Sequence, residues 1–194
     1  MKPPVHGLPS RAQVMAERAR LRRRERWGRA LTSTMSILLV AAAAAVLLAT
    51  RLLPVLRVYG SSMTPTLQDG EAVLCLRTGT PRQGDLVAFY YNNKILIKRV
   101  IAGAGQWVDI GADGTVLVDG QPLEEPYLTE KSLGTCDIAF PYQVPDGRWF
   151  VLGDHRATSL DSRVQAVGCV SEEQLIGRLS LRLWPLDRVS ALKS

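Results

Sequence analysis

An uncharged stretch, ALTSTMSILLVAAAAAVLLAT, runs from Ala30 to Thr50 and limits the folds that this chain can adopt. About 20 mainly apolar residues in a helix, each rising about 1.5 Å, are enough to cross the hydrocarbon core of a bilayer. The stretch shows no polar face of the kind that a helix on the surface of a soluble domain requires. It therefore predicts a transmembrane helix over residues 30–52.

The residues before this stretch are strongly basic. Lys2 and eight arginines against two glutamates give residues 1–29 a net charge of +7, whereas the whole chain carries +6. The rest of the chain is therefore close to neutral, and no nucleic acid is expected as a partner because the basicity is confined to one terminal tail. By the positive-inside rule the tail stays in the cytoplasm and the chain after residue 52 lies outside. A phospholipid membrane is thus an expected partner.

Two other interpretations of the apolar stretch are open. A cleaved secretory signal has an apolar run of about 7–15 residues, followed by a cleavage site of small residues. Here the run is longer and no such site follows it directly, which favours an uncleaved anchor. A buried helix of a soluble domain is the other interpretation, and the adjoining positive charge argues against it.

After Pro54 the sequence changes to short β-rich runs separated by turn signals such as Asp-Gly and Asn-Asn. This pattern predicts a mainly β domain over residues 53–194, an antiparallel sheet or barrel-like fold. A helix is expected only at Ser171–Leu175, where Ser171 could cap a first turn that contains two glutamates. The β-rich runs are 56–60, 71–76, 85–91, 95–101, 106–110, 115–120, 148–154 and 176–185.

Cysteine and histidine are too few and too scattered to indicate a metal site. The three cysteines form no Cys-x-x-Cys pair, and the two histidines form no His-Glu-x-x-His motif, so neither a metal nor a cofactor is expected. A disulfide between Cys136 and Cys169 is possible outside the cytoplasm. The alternative is that all three cysteines are small buried side chains.

A serine beside a proline marks the first segment that could carry chemistry. Gly60-Ser61-Ser62-Met63-Thr64-Pro65 follows a predicted strand, and such a turn can fix a serine hydroxyl together with its own N–H. A serine nucleophile needs a base, and the candidates beyond the anchor are His155 and a lysine of lowered pKa. Taken alone, the segment could be an ordinary turn.

Lys98 lies within the apolar run Ile95–Ile101. In a strand, Leu96, Lys98 and Val100 share one face. A free lysine has a pKa near 10.4, and burial can lower it by roughly 3 units, so a lysine on a dry face can become a base. The alternatives are that Lys98 pairs with a carboxylate or reaches solvent at a sheet edge.

These segments, together with the polar loop 153–163, resemble the signature boxes of type I signal peptidases, and of Gram-positive-like members in particular. Ser62–Leu67 is similar to the nucleophile box Ser-Met-x-Pro-Thr-Leu, and Lys98–Ile101 to the lysine box. Residues 153–163 resemble the box Gly-Asp-Asn-Arg…Ser-x-Asp-Ser-Arg, with His155 in place of asparagine. Between the nucleophile box and the lysine box, Gln83–Val87 resembles the Gly-Asp strand of the family. The resemblance covers about residues 35–186.

The resemblance implies roles for residues of this chain. Ser62 would be the nucleophile, Lys98 the general base, and Ser159 the serine that hydrogen-bonds the lysine. Gly60 stands where some members have an oxyanion-hole serine, which leaves the Ser62 N–H as the clearest donor. Further polar bracing would come from Arg99 and Asp154 and from an ion pair of Asp161 with Arg163. The positions that would line small apolar pockets for an Ala-x-Ala-like end are Leu56, Val58, Met63, Leu67, Leu96 and Ile97.

The function that the resemblance implies is removal of signal peptides from secreted preproteins. Those preproteins would be the partners of a single-pass, monomeric serine endopeptidase in the bacterial cytoplasmic membrane. Two rival hypotheses are a self-cleaving repressor-type protease and a membrane-tethered β-domain that binds a partner without cleaving it. The first would need a DNA-binding domain where the apolar stretch stands, and the second would leave Lys98 merely paired.

Overall fold

A helix of 42 residues, α1 (Arg11–Leu52), begins the computed structural model, which describes residues 11–192. Its segment Thr32–Leu52 is long and apolar enough to cross a membrane, and the predicted span 30–52 falls at this end of the helix. The helix also includes most of the predicted basic tail, because arginine, alanine and glutamate are strong helix formers. The tail residues 1–10 lie outside the described residues.

The chain divides at residue 50 into two units, of which the second, residues 50–194, contains the β-strands. Its larger sheet has eight strands, seven in the order β1-β2-β11-β3-β4-β9-β10, with β12 paired to β11. All its pairings are antiparallel. The strands of this sheet are β1 (Val55–Arg57), β2 (Ala72–Leu76), β3 (Leu86–Tyr91), β4 (Lys94–Ala102), β9 (Arg148–Leu152), β10 (Val170–Ser171), β11 (Leu175–Trp184) and β12 (Ser190–Ala191).

A smaller antiparallel sheet of four strands has the order β7-β6-β5-β8. A short 3₁₀ helix, Leu186–Arg188, follows β11. Each of the eight β-rich runs overlaps a strand, and the predicted mainly β, antiparallel fold is confirmed. The strands of the smaller sheet are β5 (Trp107–Ile110), β6 (Val116–Val118), β7 (Gln121–Pro122) and β8 (Tyr142–Gln143).

The hairpin of β3 and β4 sets the register of the strand that carries Lys98. Asn92 and Asn93 form its two-residue turn at φ values of 44° and 59°, a conformation that asparagine tolerates better than most residues. This turn places Lys98 directly opposite Val87. Val87 belongs to a buried apolar cluster that also contains Val100, so the alternation of β4 turns Lys98 toward the interior.

The helix expected at Ser171–Leu175 is absent, and this prediction was wrong. Residues 172–174 form a turn between β10 and β11 instead. The Gln174 N–H donates to the Ser171 carbonyl at 3.2 Å, and the Gln174 side-chain oxygen accepts the Ser171 N–H at 2.9 Å. A capping serine followed by polar residues also suits a tight turn, and the apolar run that follows continues as β11.

All three cysteines are free thiols, so the disulfide that the sequence left possible between Cys136 and Cys169 is not formed. Cys75 and Cys169 are buried, and burial raises the pKa of each thiol to about 11. The half-buried Cys136 thiol faces the Ile138 carbonyl at 3.5 Å. The alternative interpretation from the sequence, in which the cysteines are small buried side chains, therefore applies to Cys75 and Cys169.

Candidate active site

Ser62 and Lys98, 36 residues apart in the chain, meet at one point of the larger sheet. Lys98 Nζ and Ser62 Oγ form a hydrogen bond of 2.7 Å. A charged lysine donates in such a bond, whereas a neutral amine can accept the serine proton. The two side chains that the sequence proposed as base and nucleophile are therefore within proton-transfer distance.

Backbone hydrogen bonds and buried apolar side chains hold the turn that carries Ser62. Before it, the Val58 N–H donates to the Glu71 carbonyl at 2.8 Å. Within it, the Thr64 N–H and hydroxyl both donate to the Ser61 carbonyl, at 3.0 and 2.8 Å. Met63 is 2% exposed and Leu67 fully buried, so the turn is anchored by apolar side chains while Ser61 and Ser62 stay accessible.

Lys98 is 2% exposed, and its surroundings favour the neutral amine. Desolvation by burial is the largest effect and lowers its pKa from 10.5 to about 8. The Asp161 and Asp154 carboxylates oppose this shift, whereas the Arg163 guanidinium adds to it. Because each of these carboxylates is paired with an arginine, burial lowers the Lys98 pKa by more than the attraction of the carboxylates raises it.

Loop 153–163 closes over the nucleophile turn through its backbone. The His155 N–H donates to the Ser62 carbonyl at 3.1 Å, and the Gly153 N–H donates to Asp161 Oδ2 at 3.0 Å. Asp161 also accepts two bonds of 2.8 Å from the Arg163 guanidinium, and both side chains are fully buried. The loop is therefore an ordered structure and not a solvated segment.

A second ion pair connects the lysine strand, the loop and the nucleophile turn. Arg99 donates to both oxygens of Asp154, at 2.9 and 2.7 Å. The Thr66 hydroxyl donates to the same carboxylate at 2.5 Å. Arg99 also holds the Gly84 carbonyl at 2.8 Å, which fixes the start of β3 beside β4. Four chain segments thus share one buried charge pair.

Ser159 differs from its expected role. Its hydroxyl is buried and has no hydrogen-bond partner among residues 11–192, so the expected bond to Lys98 is not formed. Instead, it lies against Gly153, where a Cβ would come within 2.1 Å of Ser159 Oγ. Lys98 Nζ uses the Ser62 hydroxyl as its partner, which leaves the Ser159 hydroxyl buried without one.

A small cleft of about 50 Å³ lies beside Ser62 and contains four of the six side chains proposed as pocket lining: Val58, Met63, Leu96 and Ile97. The other two, Leu56 and Leu67, do not line it. Leu67 lies in the core cluster against which Leu56 packs. The cleft also contains Arg57, Tyr59, Gly60 and Ile95, which the sequence did not single out for substrate contact.

Gly60 adopts φ +84°, and its N–H donates to Asp69 Oδ1 at 2.7 Å. That N–H is therefore already in use, whereas the Ser62 N–H donates to no protein acceptor within residues 11–192. His155, the alternative base, directs Nδ1 to the Thr158 hydroxyl at 3.1 Å. Its contact with Ser62 is made by its backbone, not by its imidazole.

Sequence reasoning missed Glu125 and Tyr127, which contact the arginines of the site. Glu125 pairs with Arg156, and Tyr127 lies over Arg99. Both are in a long loop without hydrophobic periodicity, so no local pattern marks them as buried. Within residues 11–192 no group of three or more potential ligand side chains could hold a metal ion.

Ser62 and Lys98 thus place a serine hydroxyl beside a buried amine in a β-domain. The profile of the family "Signal peptidase, peptidase S26" matches residues 31–184. The chain belongs to this signal peptidase family. It is thus a protease of a membrane-associated family whose members remove signal peptides.

Two bacterial signal peptidases that are similar in sequence agree with the family match. Signal peptidase IB of Staphylococcus aureus is 37% identical over 150 residues, which cover 67% of this chain and 77% of that protein. Signal peptidase I T of Bacillus subtilis is 33% identical over 150 residues, covering 70% and 76%. A crystal structure of a signal peptidase I from Enterococcus faecalis is 30% identical, with a TM-score of 0.43 over 53% of this chain and 98% of that one.

Proposed function

We propose that this chain is a membrane-anchored serine endopeptidase that removes signal peptides from secreted preproteins, with Ser62 as the nucleophile and Lys98 as the general base. The observation that carries the proposal is the 2.7 Å contact between Ser62 Oγ and the buried Lys98 Nζ. In a non-catalytic binding domain, Lys98 would be paired only with a carboxylate. The contact with the Ser62 hydroxyl does not fit that alternative.

In the first half of the reaction, Ser62 Oγ attacks the carbonyl carbon at the end of the signal peptide while its proton moves to Lys98 Nζ. The C–N bond then breaks, and the lysine proton passes to the leaving amine of the mature protein. In the second half, a water molecule gives a proton to Lys98 and attacks the acyl-enzyme. The bond between the acyl carbon and Ser62 Oγ then breaks, and Lys98 returns the proton to Ser62 Oγ, which releases the signal peptide with a terminal carboxyl group and restores the serine and the neutral lysine.

Two features support the substrate class. The unengaged Ser62 N–H is available to donate to the oxyanion of each tetrahedral intermediate. The cleft beside Ser62 is small, and apolar side chains such as Val58, Met63 and Leu96 form part of its lining, which favours residues with short side chains before the cleaved bond, as in an Ala-x-Ala-like end. No cofactor enters any step.

Membrane anchoring rests on α1. The 21 residues Thr32–Leu52 extend about 32 Å at about 1.5 Å per residue, close to the thickness of a bilayer core. Their apolar side chains are exposed, with Leu39 73% accessible, so lipid is the medium that suits them. The family match starts at residue 31 and so includes this segment, which favours an uncleaved anchor. The arginines before it favour a catalytic domain outside the cytoplasm.

The test is cleavage of a purified secretory precursor by the full chain in detergent. We expect Ser62→Ala and Lys98→Met each to lower the rate by at least about 10³-fold. Lys94→Met, at the exposed start of the same strand, should cleave like the wild type, as should Ser61→Ala. Retained cleavage by folded Lys98→Met would exclude lysine as the base, and loss in Ser61→Ala alone would move the nucleophile to Ser61.

A further inference from the structure

The segment Glu125-Pro126-Tyr127 belongs to the loop between β7 and β8, yet its two polar side chains contact the arginines of the candidate active site. The Glu125 and Arg156 side chains are each 1% exposed and form an ion pair. A buried charge pair in a loop without secondary structure is costly to desolvate. Its presence there needs a reason beyond the stability of the loop itself.

Glu125 reaches the nucleophile through Arg156. Arg156 donates from Nη1 and Nη2 to the two oxygens of Glu125, and from Nε to the Gly153 carbonyl at 3.1 Å. Gly153 lies against the nucleophile turn, because a Cβ at this position would be 2.6 Å from the Ser62 carbonyl. Glu125 therefore holds the Arg156 guanidinium in place. Arg156 in turn holds the Gly153 backbone, which lies against Ser62.

Tyr127 reaches the lysine strand. The centroid of its ring lies 3.8 Å from the guanidinium carbon of Arg99, the neighbour of Lys98. Its hydroxyl donates to Glu125 Oε1 at 2.8 Å. The same short segment therefore contacts the strand that carries the base and, through Arg156, the loop that supports the nucleophile.

We propose that Glu125 is a positioning residue that, with Tyr127, holds the Ser62 turn and the Lys98 strand in register. It is not a catalytic residue, because within the described residues the polar contacts of its side chain are with Arg156 and Tyr127 and not with Ser62 or Lys98. This inference rests on the proposed function. Removing the Glu125 charge leaves a buried guanidinium without its carboxylate, and Arg156 must then shift toward another acceptor and draw Gly153 with it.

The experiment measures kcat and KM of the full chain in detergent, with a secretory precursor as substrate. Active sites are counted with a serine-acylating probe, so that kcat is given per competent enzyme. We expect Glu125→Gln to lower kcat per titrated site by about 10- to 100-fold, since a displacement of about 1 Å can have this effect. KM should change less than about threefold, because the cleft beside Ser62 does not include Glu125.

Three further variants make the test specific. Glu124→Gln removes the neighbouring, exposed carboxylate and should keep the wild-type kcat. Tyr127→Phe keeps the ring over Arg99 and the ion pair but loses one hydrogen bond, so its kcat should fall only a few-fold. In an Arg156→Gln background, Glu125→Gln should change kcat by less than about twofold, since Glu125 acts through Arg156.

A purely structural role gives a different result. Glu125→Gln would then lower the melting temperature and the number of titrated sites while each remaining site kept the wild-type kcat, and the proposal would be overturned. Additive effects of Glu125→Gln and Arg156→Gln would also overturn it. If the wild type cleaves and Ser62→Ala does not, either outcome rejects this inference alone, whereas a wild type that cannot cleave removes the proposed function as well.

Discussion

At the scale of single residues, the chemistry of the site depends on how burial changes Lys98. Lys98 is 2% exposed, and its side chain lies on a face shared with Val87 and Val100. Asp161 and Asp154 would favour the charged form, but each is bound to an arginine. The pKa of about 8 therefore leaves an appreciable fraction of neutral amine near neutral pH, which an exposed lysine cannot supply.

This pKa predicts the pH dependence of cleavage. The proposed base is the neutral amine, so kcat/KM should rise about tenfold per pH unit below the pKa and level off above about 8. The measurement is a pH profile of precursor cleavage in detergent, with substrate well below KM. A profile that keeps rising toward the pKa of an ordinary lysine would show that burial does not lower the pKa of Lys98 as described here.

The lowered pKa also makes the folding stability depend on pH. The contribution of Lys98 to stability changes with pH in the direction opposite to that of a lysine in a salt bridge. Below about pH 8 both folded and unfolded chains hold the Lys98 proton, and the folded chain bears the cost of a buried charge. Between about 8 and 10.5 the folded chain releases this proton first, so this contribution to stability rises with pH. The full shift corresponds to about 3 kcal/mol. Lys98→Met, our inactive variant, should therefore unfold at higher urea than the wild type at neutral pH.

Residue roles differ in how visible they are in the sequence. Ser62 and Lys98 stand in ordered motifs, and their proximity could be expected from them. Glu125 could not be identified, because its partner Arg156 is 31 residues away and no periodicity shows that the loop is buried. The unpaired Ser159 hydroxyl was also not foreseen, since a motif names a residue type but does not fix a rotamer.

At the scale of elements, the residue that follows β9 determines how closely loop 153–163 approaches the Ser62 turn. β9 ends at Leu152, and Gly153 follows with its backbone against the Ser62 turn. A Cβ at Gly153 would lie 2.1 Å from Ser159 Oγ and 2.6 Å from the Ser62 carbonyl oxygen. The second of these atoms is backbone and cannot rotate away, so any side chain here must displace the turn.

Gly153→Ala is therefore expected to lower precursor cleavage by about 10²-fold, because the nucleophile turn moves relative to Lys98. Overpacking should also reduce the free energy of unfolding by about 1–3 kcal/mol. Gly103→Ala is the matched control, since its Cβ would meet nothing closer than 3.9 Å. Wild-type cleavage by Gly153→Ala would mean that the loop and the turn are not in the tight contact described here.

The sequence predicted the larger elements well and the short ones poorly. Runs such as 85–91 and 95–101 show alternating or continuous apolar residues bounded by turn residues, and both are strands. Two-residue strands such as β10 have no such signal, since their pairing is decided by a distant strand. The same limit explains the error at Ser171–Leu175, where a capping pattern marked a turn between strands.

At the scale of the whole molecule, charge and hydropathy are separated along the chain. The positive charge lies before the apolar segment of α1, and the β-domain after it is close to neutral. By the positive-inside rule, this order favours a cytoplasmic N-terminus. The predicted organisation into a basic tail, a span over residues 30–52 and an external domain over residues 53–194 stays a prediction that topology experiments must test.

That organisation depends on a span whose hydrophobicity is moderate, because five of its residues are consecutive alanines, Ala41–Ala45. Arginine at the centre of a membrane helix costs about 2.5–3.5 kcal/mol, so Ala43→Arg should release much of the chain from membranes extracted with alkaline carbonate, whereas Ala43→Leu should keep it there. External protease should digest residues 53–194 of the wild type in intact spheroplasts. A wild type that resists external protease there, or an Ala43→Arg variant that stays fully membrane-bound, would mean that α1 does not anchor the domain as proposed.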